Sequence, residues 1–281
     1  MHVSFSPCAN HSSPRLQVNV DLAHRFEDGD AYDRFMGCWS RAVGEVFLDW
    51  VGSPSGARWL DIGCGTGILT QLILEKSAPE SLVAIDPAAA QIQHARPRPL
   101  TRGAKFGVAD AHALPFGEAT FDVLVSGLVL NFIRDQVRAL LEMRRVAVRG
   151  GVVTGYVWDF AAEFSPSWPL RIGLSEMGVD VPHVPGAARS SGDELRALFE
   201  RAGFEQISLR SFDVTVTFPN FEDFWQSQTQ RYSPVGKLVA ALETSERLRL
   251  SANVRSMLPK RTDGQIEYSA RSNGVKARVP S

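Results

Sequence analysis

Cysteine is scarce in this chain of 281 residues, which has three: Cys8, Cys38 and Cys64. They are odd in number and far apart, and no Cys-x-x-Cys or Cys/His metal spacing joins them. A disulfide framework and a thiolate metal site are thereby excluded, and no metal is expected. Long apolar runs are also missing. Nothing reaches the length that spans a bilayer, and MHVSFSPCANHSSPRLQVNV lacks the apolar block of a signal peptide. The expectation is a cytoplasmic protein with no membrane partner. Neither sign of charge is in excess, with 30 basic and 31 acidic residues and a net charge of -1. Bulk binding to nucleic acid is therefore not expected. No internal repeat or low-complexity block appears. What is present is an ordinary globular mix, 44% apolar and 22% charged, long enough to bury a sizeable core. Oligomeric state is not written in any of these features.

Residues 1–25 are rich in Ser, Pro, Asn and His without periodicity, and are expected to form a mobile arm. In DAYDRFMGCWSRAVGEVFLDWVG, Phe35, Trp39, Val43, Val46, Phe47 and Trp50 recur at helical spacing. One or two amphipathic helices over 26–52 follow, stopped by the Gly-Ser-Pro-Ser-Gly cluster at 52–56. From residue 57 short apolar strands alternate with helical stretches. ARWLDIG, SLVAIDP, AKFGVADA, FDVLVSGLVL and VVTGYVWD read as strands. GILTQLILEK, AAAQIQHARPR and DQVRALLEMRRVAV read as helices between them. SGDELRALFERAGF is a further helix, with Ser191 as N-cap and Gly203 as its stop. QISLRSFDVTVTF and QIEYSARSNGVKARV read as two more strands that can pair antiparallel. This alternation predicts an α/β fold: a Rossmann-like, doubly wound, mostly parallel sheet with an antiparallel C-terminal strand. It has an N-terminal helical cap and two inserts, at 160–190 and 220–259, and residues 26–281 make one domain.

The most specific signal is WLDIGCGTGIL. A strand ends in Asp61 and meets three glycines on alternating positions, Gly63, Gly65 and Gly67, before a helix. Glycine lets a ligand lie against the main chain, and the helix N-terminus offers backbone N–H groups. In doubly wound sheets this turn sits at the carboxyl ends of the strands, where nucleotide-type ligands bind. The dinucleotide fingerprint G-x-G-x-x-G would place its third glycine at position 68, which is Ile68, and no GK[ST] follows as in a P-loop. An NAD oxidoreductase and a pyrophosphate cradle are disfavoured.

DIGCGTG resembles the first motif of class I S-adenosylmethionine (SAM) dependent methyltransferases, and the later motifs follow in order. VAIDP resembles the second motif. VADAHALPF resembles the adenine segment, and FDVLVSGLVLNF the fourth-strand motif. MRRVAVRGGVV resembles the helix-to-strand turn, with Arg149 where proline is usual. The similarity covers roughly residues 30–280 and is strongest over 57–157, nearest to the small-molecule branch that includes ubiquinone/menaquinone-type methyltransferases. YDRFMGCWSR resembles the segment that folds over the methionine in that branch, with Cys38 where a larger basic residue is common.

The resemblance implies SAM as cofactor. It implies a cofactor site of Asp61, Gly63, Cys64, Gly65, Asp86, Pro87, Asp110, Ala111 and Ser126, with Tyr32, Met36 and Trp39 from the N-terminal segment. Asp86 takes the ribose hydroxyls, since a carboxylate accepts from two donors, and Asp110 the exocyclic amine. Asp86→Ala is expected to weaken SAM binding with little change in stability. The implied function is methyl transfer by in-line displacement to a small organic acceptor at O, C or N. The alternative is a catalytically silent SAM-binding regulatory or assembly protein. A nucleic-acid methyltransferase is disfavoured, because the fourth-strand motif lacks the [DNS]-PP-[YFW] pattern used on a flipped base.

Acceptor-side residues are less defined. Trp158, Trp168, Phe218, Phe221, Phe224 and Trp225 can line a pocket or pack in the core. His183, Asp159 and Tyr156 are rivals for a general base. His24, His94 and His112 are weaker alternatives.

Overall fold

The computed structural model describes residues 29–52, 55–231, 233–259 and 261–281, without the side chains of residues 31 and 32. The arm expected over 1–25 lies outside the described residues. Among the described residues seven strands run Arg58–Ile62 (β1), Ser81–Asp86 (β2), Ala104–Val108 (β3), Phe121–Gly127 (β4), Ala147–Trp158 (β5), Glu205–Phe218 (β6) and Ile266–Arg278 (β7). They form one sheet in the order β3-β2-β1-β4-β5-β7-β6. The first five pair in parallel, and β7 enters antiparallel between β5 and β6. Strand β1 has β2 on one side and β4 on the other, so the winding reverses there and a crevice opens at the carboxyl ends.

The helices are Gly29–Val51 (α1), Ile68–Ser77 (α2), Ala89–Ala95 (α3), Gln136–Val146 (α4), Trp168–Glu176 (α5), Gly192–Arg201 (α6), Phe221–Gln228 (α7), Pro234–Ala241 (α8) and Thr244–Met257 (α9). Period-two alternation sorts the strand side chains between two layers. Trp59, Val123, Val125, Tyr156 and Trp158 join α1, α2, α5 and α7–α9. Leu60, Ile62, Leu124, Val153 and Val157 join α4 and α6 on the other face. Burying a large apolar side chain in either layer contributes about 2–3 kcal/mol. Among the described residues no helix is long and apolar enough to cross a membrane.

Local chemistry sets the boundaries. Ser191 caps α6 by accepting from Glu194 N–H at 3.3 Å, and Gly203 ends it at φ +75°. Helix α4 stops two residues earlier than its apolar pattern, and β5 starts at once at Ala147. The ladder with β4 then jumps from Phe121↔Ala147 to Val123↔Val152, a bend that Gly150 permits at φ +68°. Strand β4 ends at Gly127 rather than continuing to residue 130. Leu128 is left-handed at φ +62°, and a short 3-10 helix follows at Leu130–Phe132. The cap is a single 23-residue helix, α1. The segment 160–190 carries α5 and a 3-10 turn at Ala187–Arg189, and 220–259 carries α7, α8 and α9.

Candidate active site

The glycine turn crosses the end of β2 and is held there by main-chain bonds. Gly63 N–H and Cys64 N–H both donate to Ile85 O, at 2.7 and 2.9 Å, and Gly67 N–H donates to Cys64 O at 2.9 Å. All three glycines are left-handed, at φ +76°, +53° and +86°, a region that costs other residues about 1–2 kcal/mol. They differ in what surrounds them. A Cβ on Gly63 would stand 2.5 Å from Val129 Cγ2, whereas a Cβ on Gly65 would meet no atom of the described residues within 4 Å.

A cavity of about 650 Å³ opens against this turn. Three acids border it. Asp61 is 1% exposed and accepts from Thr70 Oγ1 at 2.6 Å through Oδ2. Its Oδ1 is buried with no hydrogen-bond partner among the described residues. Burial, with the Asp86 charge as a smaller contribution against the opposing Thr70 bond, pushes its pKa up to about 7. Asp86 accepts from Gly65 N–H at 3.0 Å through Oδ2 and from Ala88 N–H at 2.8 Å through Oδ1. Burial raises its pKa against those bonds. Asp110 stands at the rim. It accepts from His112 N–H at 2.8 Å and pairs with His112 Nδ1 at 2.6 Å, which holds its pKa low. His112 Nε2 accepts from Asp135 N–H at 3.3 Å, so Nδ1 carries the proton that goes to Asp110. The thiol of Cys64, also on the wall, is raised by burial and is not a thiolate.

Helix α1 closes one side. Met36 and Ser40, one turn apart, reach the cavity together with Phe35, and Ser40 Oγ is buried with no partner among the described residues. Upstream, α1 is tied to the turn. Thr66 Oγ1 donates to Asp33 Oδ1 at 2.6 Å, and Arg98 Nη1 donates to Asp33 Oδ2 at 2.8 Å and to Thr66 O at 3.0 Å. The opposite wall comes from Trp158, Phe160, Ser167, Arg171, the stretch 182–185 and the start of α8 at Ser233–Val235.

Of the residues anticipated from the sequence, Asp61, Gly63, Cys64, Gly65, Asp86, Pro87, Asp110, Ala111 and Met36 all border the cavity, as do His183 and Tyr156. Three others do not. Trp39 is fully buried among Trp158, Phe218 and Tyr268, with ring centroids 5.8–6.4 Å away. Ser126 is enclosed within β4 at 0% exposure. Asp159 serves a turn, where Oδ1 accepts from Ala162 N–H at 3.1 Å. The Tyr32 side chain and His24 lie outside the described residues. His94 faces Asp33 and Asp30 rather than the cavity. Of the aromatic residues, Trp158 reaches the wall. Phe218, Phe221, Phe224 and Trp225 pack on one another. Residues missed by sequence reasoning include Ser40, Gln91, Leu128, Asn131 and Arg171. Leu128 carries a left-handed backbone in the cavity wall, a strain found at binding sites.

The arrangement fits SAM on three counts. The orphaned Asp61 Oδ1 is an acceptor awaiting a donor such as an α-ammonium. The empty Cβ direction at Gly65 leaves room against the main chain. Asp86 keeps lone pairs for a diol.

Comparison with known proteins gives the same answer. Residues 60–154 match a family model described as a methyltransferase domain. The 2-phytyl-1,4-naphtoquinone methyltransferase of Thermosynechococcus vestitus is 37% identical over 184 residues, covering 58% of this chain and 79% of that protein. The mitochondrial arginine-hydroxylase NDUFAF5 of Mus musculus is 30% identical over 163 residues, covering 57% of this chain and 46% of that protein. The chain spans 33% and 40% of two further curated relatives named as methyltransferases. In fold it is similar to the crystal structure of a Bacillus halodurans protein titled a putative methyltransferase, with a TM-score of 0.56 at 16% identity over 84% of this chain and 99% of that one. The chain belongs to the class I SAM-dependent methyltransferases, of the small-molecule type.

Proposed function

We infer that this protein transfers a methyl group from SAM to a small organic acceptor. The observation that carries the reading is one continuous cavity. It joins the glycine turn and its acids to an aromatic wall built from β5 and the segments beyond it. SAM supplies a methyl group on a positively charged sulfur, already a good leaving group. The chain's part is to bind, align and exclude water. Asp61 would hold the amino-acid end, Asp86 the ribose and Asp110 the adenine amine. Phe35, Met36, Trp158 and Phe160 shelter the space between cofactor and acceptor. His183 and Tyr156 border that space, and His183 is the proposed proton acceptor where the acceptor atom must lose a proton.

Incubation with methyl-labelled SAM and an acceptor panel should release S-adenosylhomocysteine well above the no-enzyme rate. Tight binding of S-adenosylhomocysteine without turnover on any acceptor would instead favour the silent binding protein.

The two glycines give a sharper check of the cofactor site. Gly65→Ala should lose about 1–2 kcal/mol of stability, from its left-handed backbone alone, yet lose most of its affinity for S-adenosylhomocysteine. Gly63→Ala should lose both, because its Cβ strikes Val129. Thermal melts paired with calorimetric titration separate the cases. Normal affinity in Gly65→Ala would remove the turn from the cofactor site.

A further inference from the structure

The acceptor wall holds a cation that its own surroundings do not neutralise. Arg171 projects from the first turns of α5, half-buried on the cavity wall. Its Nη2 donates to Pro182 O at 2.7 Å. Among the described residues no carboxylate forms an ion pair with it. Glu163, which is exposed, favours its charge only through space. Desolvation is the largest influence on the group and disfavours its charge. A guanidinium has five N–H donors, and a buried one is costly unless an anion meets it. The other basic side chains on the cavity wall differ. Arg134 and His183 are exposed, and His112 is committed to Asp110.

We propose that Arg171 is the anchor for a carboxylate on the methyl acceptor, so that the substrate class is a small, largely apolar or aromatic monocarboxylate. One planar, singly charged fork matches one carboxylate, which it can grip with two parallel hydrogen bonds. A phosphate dianion would leave a charge unmet beside a single arginine. Trp158, Phe160, Val184 and Val235, apolar residues that line the same cavity, suit the remainder of such a molecule. The bond to Pro182 O sets the guanidinium and joins α5 to the stretch that carries His183. This inference rests on the methyl-transfer reading for what the acceptor undergoes, but the anion site can be tested apart from it.

The test is calorimetric titration of the protein, saturated with S-adenosylhomocysteine, using matched pairs of graded size. Suitable pairs are benzoate with benzamide and 4-hydroxycinnamate with its amide, and phenyl phosphate is added as a third arm. The carboxylates should bind at least about tenfold tighter than their amides and than phenyl phosphate, the range of one charge-assisted fork. In Arg171→Met, of similar length and uncharged, carboxylate affinity should fall to that of the amide while affinity for S-adenosylhomocysteine is kept. Arg171→Lys should retain part of the preference. The proposal is overturned if carboxylate and amide bind alike in the wild type or no carboxylate binds. It is equally overturned if phenyl phosphate binds best or the preference survives in Arg171→Met. The wild-type comparison needs no variant to fold. Should S-adenosylhomocysteine itself not bind, the cofactor reading falls, and the same carboxylate–amide comparison on the free protein still decides the anchor.

Discussion

Asp86→Ala should weaken S-adenosylhomocysteine binding by at least about a hundredfold, since two hydroxyl donors to one carboxylate at about 1.5–3 kcal/mol each are lost together. The sequence alone suggests little cost in stability, and the structure changes that expectation. Asp86 accepts from Gly65 N–H and Ala88 N–H, so alanine strands two main-chain donors beside the turn. A stability loss of about 1–3 kcal/mol follows from one such unsatisfied group. Asp86→Asn keeps a single acceptor oxygen and should fall between. Its single amide oxygen can accept from one main-chain donor and one hydroxyl but cannot replace both carboxylate oxygens. Titration and thermal melts on both variants give the check. If Asp86→Ala binds S-adenosylhomocysteine normally, the ribose is held elsewhere and the assignment of this carboxylate is wrong.

The parts of the site that sequence reasoning located are those where backbone geometry leaves few choices of residue. DIGCGTG had to contain glycines because each takes a left-handed φ, and at Gly63 no Cβ fits against Val129. Asp86 ends β2, the strand beside the winding reversal at β1, where its position follows from the parallel order. The antiparallel β7 was legible from alternation, although its insertion between β5 and β6 is a long-range pairing that no local pattern encodes. Helical periodicity identified most of the inward face of α1, although Val46 of that set is 40% exposed, and it could not separate the core from the cavity along it. Trp39 and Met36 share that face, and one packs against aromatic rings while the other borders the ligand space. Ser126 failed for a similar reason: strand alternation aims it into the sheet packing rather than past the strand end. Arg171 and Ser40 carried no signal, because an arginine or serine in a helix is ordinarily solvated. Only the folded arrangement reveals that one is half-buried on the cavity wall and the other is buried with no partner among the described residues.

Asp61 should make ligand binding and stability respond to pH in opposite senses. Its pKa stands at about 7 in the folded protein, against an ordinary value of 3.8. Between those values the folded state binds more protons than the unfolded chain, so stability falls as pH rises from about 4 to about 7 and levels off above. The full span is worth about 4 kcal/mol at 1.36 kcal/mol per unit. A ligand ammonium on the unpartnered Oδ1 requires the ionised form. Binding of S-adenosylhomocysteine should therefore weaken by about tenfold for each pH unit below 7 and release a proton there. Asp61→Asn isolates the group. It stays neutral and can still accept from Thr70, so the ligand-free variant should be more stable than the wild type at pH 8 and lack this component of the pH slope. It should also bind S-adenosylhomocysteine at least about tenfold more weakly, because a charge-assisted bond is lost. Melts from pH 5 to 8, with titrations in buffers of different ionisation enthalpy, measure both arms. A variant that is less stable at pH 8 yet binds normally would mean that Asp61 is a structural acid serving Thr70, and that another group receives the amino-acid end.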